Sequence, residues 1–273
     1  MSGPSRSLDR ARLLLPAALA FLTVPFAAAP AQAAYDLTGQ VRAGQDVALD
    51  GDAVVGLGDL GLVLDIGAGF GRFTDRLRAD HPEATVVAID KAPGMLTAVE
   101  APVMVADAQA IPYPDACADA VLAMHMLYHV PDIAKAVAEF RRVLKPGGTL
   151  LVSTNIRGDM TEMAELWERV ARPVLGPDGF SWNGATRDFD SASAPALLEA
   201  EFDSVETFTA AGVVKVPEPG PIMRFLASVQ TFTECDDASY AVILAAAERE
   251  LTRHFAEHET FDFPKTMVFY RCR

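Results

Sequence analysis

Three glycines at alternate positions, Gly67, Gly69 and Gly71, directly follow the short apolar run at 62–66. Glycine has no Cβ, so its backbone adopts positive φ readily and can approach a ligand closely. A turn that leaves the carboxyl end of a parallel strand faces the crevice in which open α/β sheets bind ligands. The N-terminus of the helix that follows offers unpaired N–H groups to a carboxylate or phosphate. We therefore expect this turn to lie against a bound small molecule.

The spacing of these glycines separates two classes of nucleotide site. The dinucleotide fingerprint is G-x-G-x-x-G, but Arg72 stands where that fingerprint requires its third glycine. The sequence instead reads D-x-G-x-G-x-G, beginning at Asp65. A dinucleotide site is therefore the weaker interpretation of this turn.

A second group of residues able to do chemistry, His125, Tyr128 and His129, lies at the end of a later apolar run. A histidine can accept a proton near neutral pH. His125 and His129 are also spaced i, i+4, as are His254 and His258, and on a helix this spacing can hold a metal ion. Neither pair has a third ligand at a recognisable spacing, so we predict no metal site and a solvated helix face at 254–258.

The elements that must position these residues alternate short apolar strands with helices, which is typical of a parallel sheet wrapped by helices. Strands are predicted at 62–66, 84–90, 102–108, 118–126, 149–155, 205–211 and 265–272. Helices are predicted at 71–80, 132–144, 161–175, 194–202, 221–232 and 238–258. The Lys-Pro-Gly-Gly sequence at 145–148 should end the second helix, because proline cannot continue a helix and glycine tolerates the positive φ of a helix end.

This alternation predicts an α/β fold: a Rossmann-like, seven-stranded, mostly parallel sheet with helices on both faces. Residues 34–273 form the expected domain. The stretch of about fifty residues between the last two strands is too long for a plain connection. We interpret it as a small helical cap inserted before the last strand, at about 212–263.

The D-x-G-x-G-x-G sequence resembles motif I of class I S-adenosylmethionine-dependent methyltransferases. Further segments resemble that family and occur in the family's order: KAPGM at 91–95, ADAQAIPYPDACADAVL at 106–122, HMLYHVPD at 125–132 and FRRVLKPGGTLLVS at 140–153. Ala92 replaces the serine that is usual in the first of these segments. The resemblance covers 62–154, and it is to the large group that includes the ubiquinone and menaquinone C-methyltransferases.

The resemblance implies that S-adenosyl-L-methionine is the co-substrate. Asp90, at the end of the second strand, would accept hydrogen bonds from both ribose hydroxyls. Asp107 and Ala108 would read the amino group of adenine. The other residues implied to border the co-substrate are Asp65, Gly67, Ala68, Gly69, Gly71, Lys91 and Met124.

The implied reaction is an in-line displacement that transfers a methyl group to an O, N or C atom of a small-molecule acceptor. Such an enzyme mainly has to align donor and acceptor, and only some acceptors need a general base. His125 is the best-placed candidate for that base. His129 is the second candidate, although it could simply pack the turn, and Tyr128 could line the pocket. The identity of the acceptor depends on the variable C-terminal part of the chain.

Two other functions remain open from the residues alone. One is an NAD(P)-dependent oxidoreductase, which a titration with both cofactors would separate from a methyltransferase. The other is a non-catalytic protein that keeps the S-adenosylmethionine site but lacks an acceptor site. Turnover with a panel of acceptors would distinguish it from an enzyme.

Charge and cysteine content limit the partners. The formal net charge of −14 and the lack of a basic stripe argue against a nucleic-acid partner. The three cysteines, Cys117, Cys235 and Cys272, lie far apart and form no disulfide framework. Neither feature indicates the oligomeric state.

Residues 1–33 resemble a secretory signal peptide, with a basic start, an apolar stretch at 13–29, and Ala31 and Ala33 at the positions of a cleavage site. Two prolines and the short length of that stretch argue against a stable membrane span. Export would carry the domain to a compartment without S-adenosylmethionine. We therefore favour a cytoplasmic enzyme with an anomalous N-terminal extension, and keep export as the alternative.

Overall fold

The computed structural model describes residues 60–177, 179–180 and 188–273, apart from the side chains of Thr231 and Phe232. The signal-like segment at 1–33 and the expected start of the domain at residue 34 lie outside the described residues. None of the helices that the structure describes combines the length and the apolar composition that a membrane span requires.

Seven strands form one sheet in the order β3-β2-β1-β4-β5-β7-β6. The strands are β1 (Leu62–Ile66), β2 (Thr85–Asp90), β3 (Val103–Val105), β4 (Ala118–Met124), β5 (Leu144–Asn155), β6 (Val205–Val216) and β7 (Phe261–Cys272). The pairs β1–β2, β1–β4, β2–β3 and β4–β5 are parallel, whereas β7 runs antiparallel to β5. The predicted α/β class and the seven-stranded, mostly parallel sheet are confirmed.

The centre of the sheet is made of near-continuous apolar runs. Leu64 of β1 lies opposite Val87 of β2 on one side and Val121 of β4 on the other, and all three are buried. Parallel strands covered on both faces lack the alternation of polar and apolar residues. The nearly continuous apolar sequences of β1 and β4 therefore match the central places that these strands occupy.

The helices are α1 (Arg72–Asp80), α2 (Ile133–Val143), α3 (Thr161–Leu175), α4 (Ala194–Glu199), α5 (Pro219–Ser228) and α6 (Asp237–Glu257). Helix α2 shows how the sequence sets such an element. Asp132 caps its N-terminus by accepting a hydrogen bond from the Lys135 amide at 3.0 Å. Ala136, Val137 and Phe140 are buried on one face, as their helical spacing predicts.

The Lys-Pro-Gly-Gly sequence lies within β5, which differs from the prediction that it only ends a helix before a strand at 149. The structure has β5 begin at Leu144, opposite Ala118, and the register then shifts so that Thr149 lies opposite Ala120. The four residues at 145–148 thus lie opposite the single residue Asp119, which is an irregularity of the bulge type. Gly147 adopts φ +79° within it, a conformation that favours glycine.

Strand β3 is shorter than the predicted 102–108 and covers only Val103–Val105. The chain turns away after it, because the Asp107 carboxylate accepts a hydrogen bond from the Gln109 amide at 2.9 Å. The Ala110 amide then donates to the carbonyl of Asp107 at 2.9 Å. Aspartate side chains that bond the backbone two residues on are typical of turns.

The chain divides into two compact units, with boundaries inside β6 and β7. Among the described residues, the first unit contains 60–157, 188–210 and 266–273, and it holds β1 to β5 with α1, α2 and α4. Its core includes Val63, Leu77 and Phe269.

The second unit contains 158–177, 179–180 and 211–265. Helix α6 packs on α3 and on α5, around a core that includes Trp167, Phe225, Tyr240 and Ile243. The expected cap at 212–263 falls within this unit, which also includes α3. That this unit covers a ligand stays a prediction.

Candidate active site

The turn between β1 and α1 wraps over the end of β2. The amides of Gly67 and Ala68 both donate to the carbonyl of Ile89, at 2.7 and 3.0 Å. Gly67, Gly69 and Gly71 adopt φ values of +70°, +57° and +82°. Residues with a side chain rarely adopt this conformation, so all three positions favour glycine for backbone reasons alone.

The three glycines differ in what surrounds them. A Cβ on Gly67 would lie 2.6 Å from Cβ of Met126, and a Cβ on Gly71 would lie 2.9 Å from Cγ1 of Val99. Both positions are therefore filled by the protein itself. A Cβ on Gly69 would meet no atom within 4 Å. Gly69 is thus the member of the trio that borders open space.

Asp90 connects this turn to the end of β2. Its Oδ2 accepts a hydrogen bond from the Gly69 amide at 3.0 Å, and its Oδ1 accepts one from the Ala92 amide at 2.9 Å. A carboxylate offers about four lone-pair sites. Asp90 can therefore hold the turn and still accept further hydrogen bonds from the hydroxyl groups of a ligand.

Asp65 lies beneath the turn and is 1 % exposed. Its Oδ2 accepts a hydrogen bond from Thr74 Oγ1 of α1 at 2.6 Å. Burial raises the pKa of Asp65 from its ordinary 3.8 to about 6, with a further contribution from the charge of Asp90, although the bonds from Thr74 oppose the change. This carboxylate therefore contacts α1 through Thr74. That Asp65 also borders the co-substrate stays a prediction.

Asp107 and Lys91 form an ion pair, with Nζ 2.7 Å from Oδ2. Gln109 donates to the other oxygen of Asp107 from its amide at 2.9 Å and from Nε2 at 3.0 Å. Burial acts to raise the pKa of Asp107, but the hydrogen bonds from Lys91 and Gln109 outweigh it and lower the pKa to about 2. Asp107 is thus a negatively charged acceptor at every physiological pH, and Ala108 beside it is buried.

His125 follows β4 in a left-handed conformation, with φ +54°. Its amide donates to the carbonyl and to Oγ of Ser153 on β5, each at 3.1 Å. Met124, the residue before it, is buried. A non-glycine residue held in this sparsely populated region is a form of strain that clusters at functional sites, so the end of β4 is a candidate for one.

Tyr128 and His129 occupy the short 3₁₀ turn Leu127–His129, with ring centroids 4.4 Å apart. Tyr128 Oη and His129 Nε2 are buried and bond to no residue that the structure describes. Burial lowers the pKa of His129 to about 3 and raises the pKa of Tyr128. Both groups are therefore neutral near pH 7, and each retains an unused hydrogen-bonding atom.

In the other histidine pair, His254 packs against its neighbours whereas His258 is exposed, as predicted for a solvated helix face. His254 Nε2 lies 2.9 Å from the carbonyl of Thr260, and its ring lies 5.0 Å from that of Phe261. Over the described part of the chain, no cluster of three His, Cys, Asp or Glu residues could hold a metal ion.

Comparison with known protein families indicates which class of ligand-binding site this turn belongs to. Residues 64–152, which include the turn, Asp90, Asp107 and β4, match the family described as "Methyltransferase domain". This segment is a class I S-adenosylmethionine-dependent methyltransferase domain. The resemblance inferred from the sequence is confirmed.

Curated relatives agree with this family for part of their length. A malonyl-[acyl-carrier protein] O-methyltransferase of Serratia marcescens is 33% identical over 113 residues, which are 40% of this chain and 44% of that relative. An uncharacterized methyltransferase of Mycobacterium tuberculosis is 37% identical over 122 residues, which are 43% of this chain and 47% of that relative. The chain thus covers less than half the length of these relatives.

Solved structures share the fold over more of the chain. A protein of Anabaena variabilis, described as a methyltransferase from an antibiotic biosynthesis pathway, has a TM-score of 0.57 at 17% identity and covers 77% of this chain and 90% of its own. A protein of Anaeromyxobacter dehalogenans, described as a type II methyltransferase, has a TM-score of 0.52 at 20% identity, with coverage of 78% and 89%. At these identities the likeness shows the fold alone.

Within the methyltransferase domain, the structure joins the glycine turn to Asp90 through a hydrogen bond, and it joins Lys91, the residue after Asp90, to Asp107 through an ion pair. Sequence reasoning missed three residues that hold these groups: Thr74 on Asp65, Gln109 on Asp107 and Ser153 on His125. The position of Thr74 at the start of a helix was the one available signal. The contact of Gln109 with Asp107 depends on a side-chain direction that the sequence does not specify, and the contact of Ser153 with His125 depends on the pairing of two strands.

Proposed function

We propose that this protein transfers a methyl group from S-adenosyl-L-methionine to a small-molecule acceptor through an in-line displacement. The observation that carries the proposal is the pairing of open space at Gly69 with the Asp90 carboxylate that its amide contacts. A nucleoside sugar can rest against the bare main chain there while its hydroxyls donate to Asp90. The methyltransferase family match over residues 64–152 supports the same interpretation.

The residues present fit this co-substrate. Gly69 offers a surface without a side chain, Asp90 keeps lone pairs for two hydroxyls, and Asp107 is an ionised acceptor for an amino group. When bound, the co-substrate supplies an electrophilic methyl group on a sulfonium. What the protein adds is alignment of the acceptor with that group and exclusion of water.

His125, Tyr128 and His129 are the proposed residues for the acceptor end of the site. Because burial strongly lowers its pKa, His129 is a poor proton acceptor. Its neutral ring can still form a hydrogen bond with a hydroxyl group of the methyl acceptor. Tyr128 keeps its proton, so its hydroxyl can donate a hydrogen bond to the acceptor. His125, fixed to β5 through its amide, remains the proposed general base for acceptors that need one.

We further propose that the enzyme works in the cytoplasm, because its co-substrate must be available where it acts. The acceptor is proposed to be a small molecule rather than nucleic acid, since the chain has 37 acidic residues and only 23 basic ones. Intact-mass measurement of native protein together with cell fractionation tests the location. A species that begins near Ala34 outside the cell would contradict it.

Calorimetric titration with S-adenosylhomocysteine and, separately, with NAD tests the proposed site. We expect binding of the first ligand only, and a loss of at least tenfold in affinity in Asp90→Ala. Equal affinity in the variant, or binding of NAD alone, would overturn the assignment.

A turnover assay then distinguishes an enzyme from a binding protein. Hydroxyaromatic acids, primary amines and a malonyl thioester serve as acceptors, the last because one relative is named for a malonyl acceptor. Mass spectrometry follows the formation of S-adenosylhomocysteine. Binding without turnover on any acceptor class would support a non-catalytic protein.

A further inference from the structure

Arg157 occupies a distinctive place at the carboxyl edge of the sheet. It stands two residues beyond the end of β5 at Asn155, on the edge where open α/β sheets bind their ligands. Its side chain is 62% exposed, yet it is held by Asp190, whose side chain is only 3% exposed. An exposed cation is thus fixed by a buried anion within the first unit.

The contact between these two residues uses one complete edge of the guanidinium. Arg157 Nε donates to Asp190 Oδ2 at 2.6 Å, and Nη2 donates to Oδ1 at 3.2 Å. Asp190 Oδ1 also accepts from the amides of Ala192 and Ser193, at 2.8 and 3.1 Å. Asp190 is therefore fixed by the backbone at the start of α4, and it sets the orientation of the arginine.

The segment around Asp190 is itself attached to the end of β5. Thr154 Oγ1 donates to the carbonyl of Phe189 at 2.6 Å, and the Ser191 amide donates to the carbonyl of Asn155 at 3.2 Å. The Arg157 amide donates in turn to Ser191 Oγ at 3.2 Å. Both partners of the ion pair are thus held on backbone of the same strand end, so the guanidinium has a defined position.

The second edge of the guanidinium is available for an anion. A guanidinium has five N–H groups in a planar fork and can engage two oxyanions along different edges. Nη1 of Arg157 makes no hydrogen bond to any residue within 60–177, 179–180 or 188–273. Because the side chain of Arg157 is 62% exposed, an anion can reach this second edge of the guanidinium from solvent.

We infer that Arg157 anchors a carboxylate or phosphate group of the methyl acceptor. The inference rests on the proposed function and adds the chemical class of its substrate. Ser153, which holds His125, lies four residues before Arg157 on extended chain, a separation of at most about 13 Å. The anionic group and the methylated atom therefore lie at different ends of one small, anionic acceptor.

Anion binding to purified full-length protein tests this anchor. The probes are benzoate and inorganic phosphate, titrated with and without saturating S-adenosylhomocysteine, against wild type, Arg157→Gln and Arg157→Lys. Arg76→Gln is the matched control, because Arg76 is a half-exposed arginine that forms an ion pair with Asp80 within α1. We expect Arg157→Gln to lose at least tenfold in affinity, Arg157→Lys to lose less, and the control to match wild type.

Several results would overturn the anchor. They are a wild type that binds neither anion, and an Arg157→Gln variant that binds them as wild type does. A tenfold loss of affinity for S-adenosylhomocysteine in Arg157→Gln would assign the anion to the co-substrate's own carboxylate instead. Melting temperatures of all variants show whether folding is intact.

Kinetics on a matched pair of acceptors adds a second readout. For 4-hydroxybenzoate and its neutral amide, or any acid–amide pair that the enzyme methylates, we expect Arg157→Gln to raise KM at least tenfold for the acid only, with kcat little changed. An equal effect on both acceptors would contradict the anchor. Failure of the proposed function looks different, since then no variant binds S-adenosylhomocysteine or turns over, whatever the result with benzoate.

Discussion

The Gly69 amide donates a hydrogen bond to the Asp90 carboxylate, with a distance of 3.0 Å between nitrogen and Oδ2. This bond joins the bare turn after β1 to the acid that ends β2. It holds the backbone surface of the turn next to the carboxylate, so we expect the two to bind one ligand together.

Alanine at Gly67 and at Gly69 should have different consequences. Gly67→Ala places a Cβ 2.6 Å from Met126 at φ +70°, and we expect it to lower the free energy of unfolding by about 2–4 kcal/mol. Gly69→Ala meets only the backbone penalty, about 1–2 kcal/mol, but it should weaken S-adenosylhomocysteine binding at least tenfold. Urea denaturation and calorimetry measure the two effects.

Gly147→Ala is the control for that comparison. Gly147 has φ +79° and open space around its would-be Cβ, as Gly69 has, but it lies in the bulge of β5. Its alanine variant should lose similar stability and keep full affinity for the ligand. If Gly69→Ala also keeps full affinity, the turn does not contact the co-substrate.

Asp65→Asn should change how stability depends on pH. The folded-state pKa of about 6 lies above the ordinary 3.8, so the folded protein holds an extra proton between these values and loses stability as pH rises through 6. The difference corresponds to about 3 kcal/mol. We expect Asp65→Asn, which has no charge to bury, to gain up to that amount on wild type between pH 4 and pH 8.

Urea denaturation at pH 4, 6 and 8 measures the stability difference between Asp65→Asn and wild type. Asp75→Asn, an exposed acid on α1, is the comparison variant. A difference that stays constant across this range would show that Asp65 is not buried as a charge.

His129 should not titrate in the working range of the enzyme. Its pKa is lowered by burial to about 3, so a change from pH 6 to pH 8 leaves it neutral. We expect any loss of kcat in His129→Gln to be the same factor at both pH values. A ratio of wild-type to variant rates that changes with an apparent pKa near 6.5 would contradict this, because the histidine would then exchange a proton.

Asp107→Asn should reduce selectivity for adenine. An ionised carboxylate accepts from the amino group of adenine but repels the carbonyl oxygen of hypoxanthine. Wild type is therefore expected to bind S-adenosylhomocysteine at least tenfold more tightly than S-inosylhomocysteine, and Asp107→Asn should narrow that ratio. Asp115→Asn is the matched control, since Asp115 is an exposed acid outside the proposed site, and its ion pair with Arg142 contributes under about 1 kcal/mol. An unchanged ratio in Asp107→Asn would remove this acid from the adenine contact.

Local sequence predicted the central part of the fold well, because the signals there are local. The apolar runs of β1 and β4, the Asp132 cap of α2 and the bounds of α3 at Thr161–Leu175 follow from neighbouring residues. The start of β5 did not, because a bulge depends on what lies opposite it in the sheet.

The candidate site divides in the same way. Gly69 was predicted from the glycine spacing and Asp90 from the family resemblance, and the structure joins them by a hydrogen bond. Sequence could not reveal that Met126 and Val99 occupy the space beside the other two glycines, because these neighbours are brought close only by folding. Arg157 and Asp190, 33 residues apart, gave no sequence signal for the same reason.

The division of the chain into two units has a consequence for engineering. The second unit takes its described residues from two separate stretches, and the intervening residues 188–210 belong to the first unit. A chimera that imports the whole second unit from a homologue must therefore be spliced on both sides of α4, with junctions inside β6 and β7. A single crossover between α3 and α6 would leave a hybrid helical core, with Trp167 from one parent and Tyr240 from the other in the same cluster.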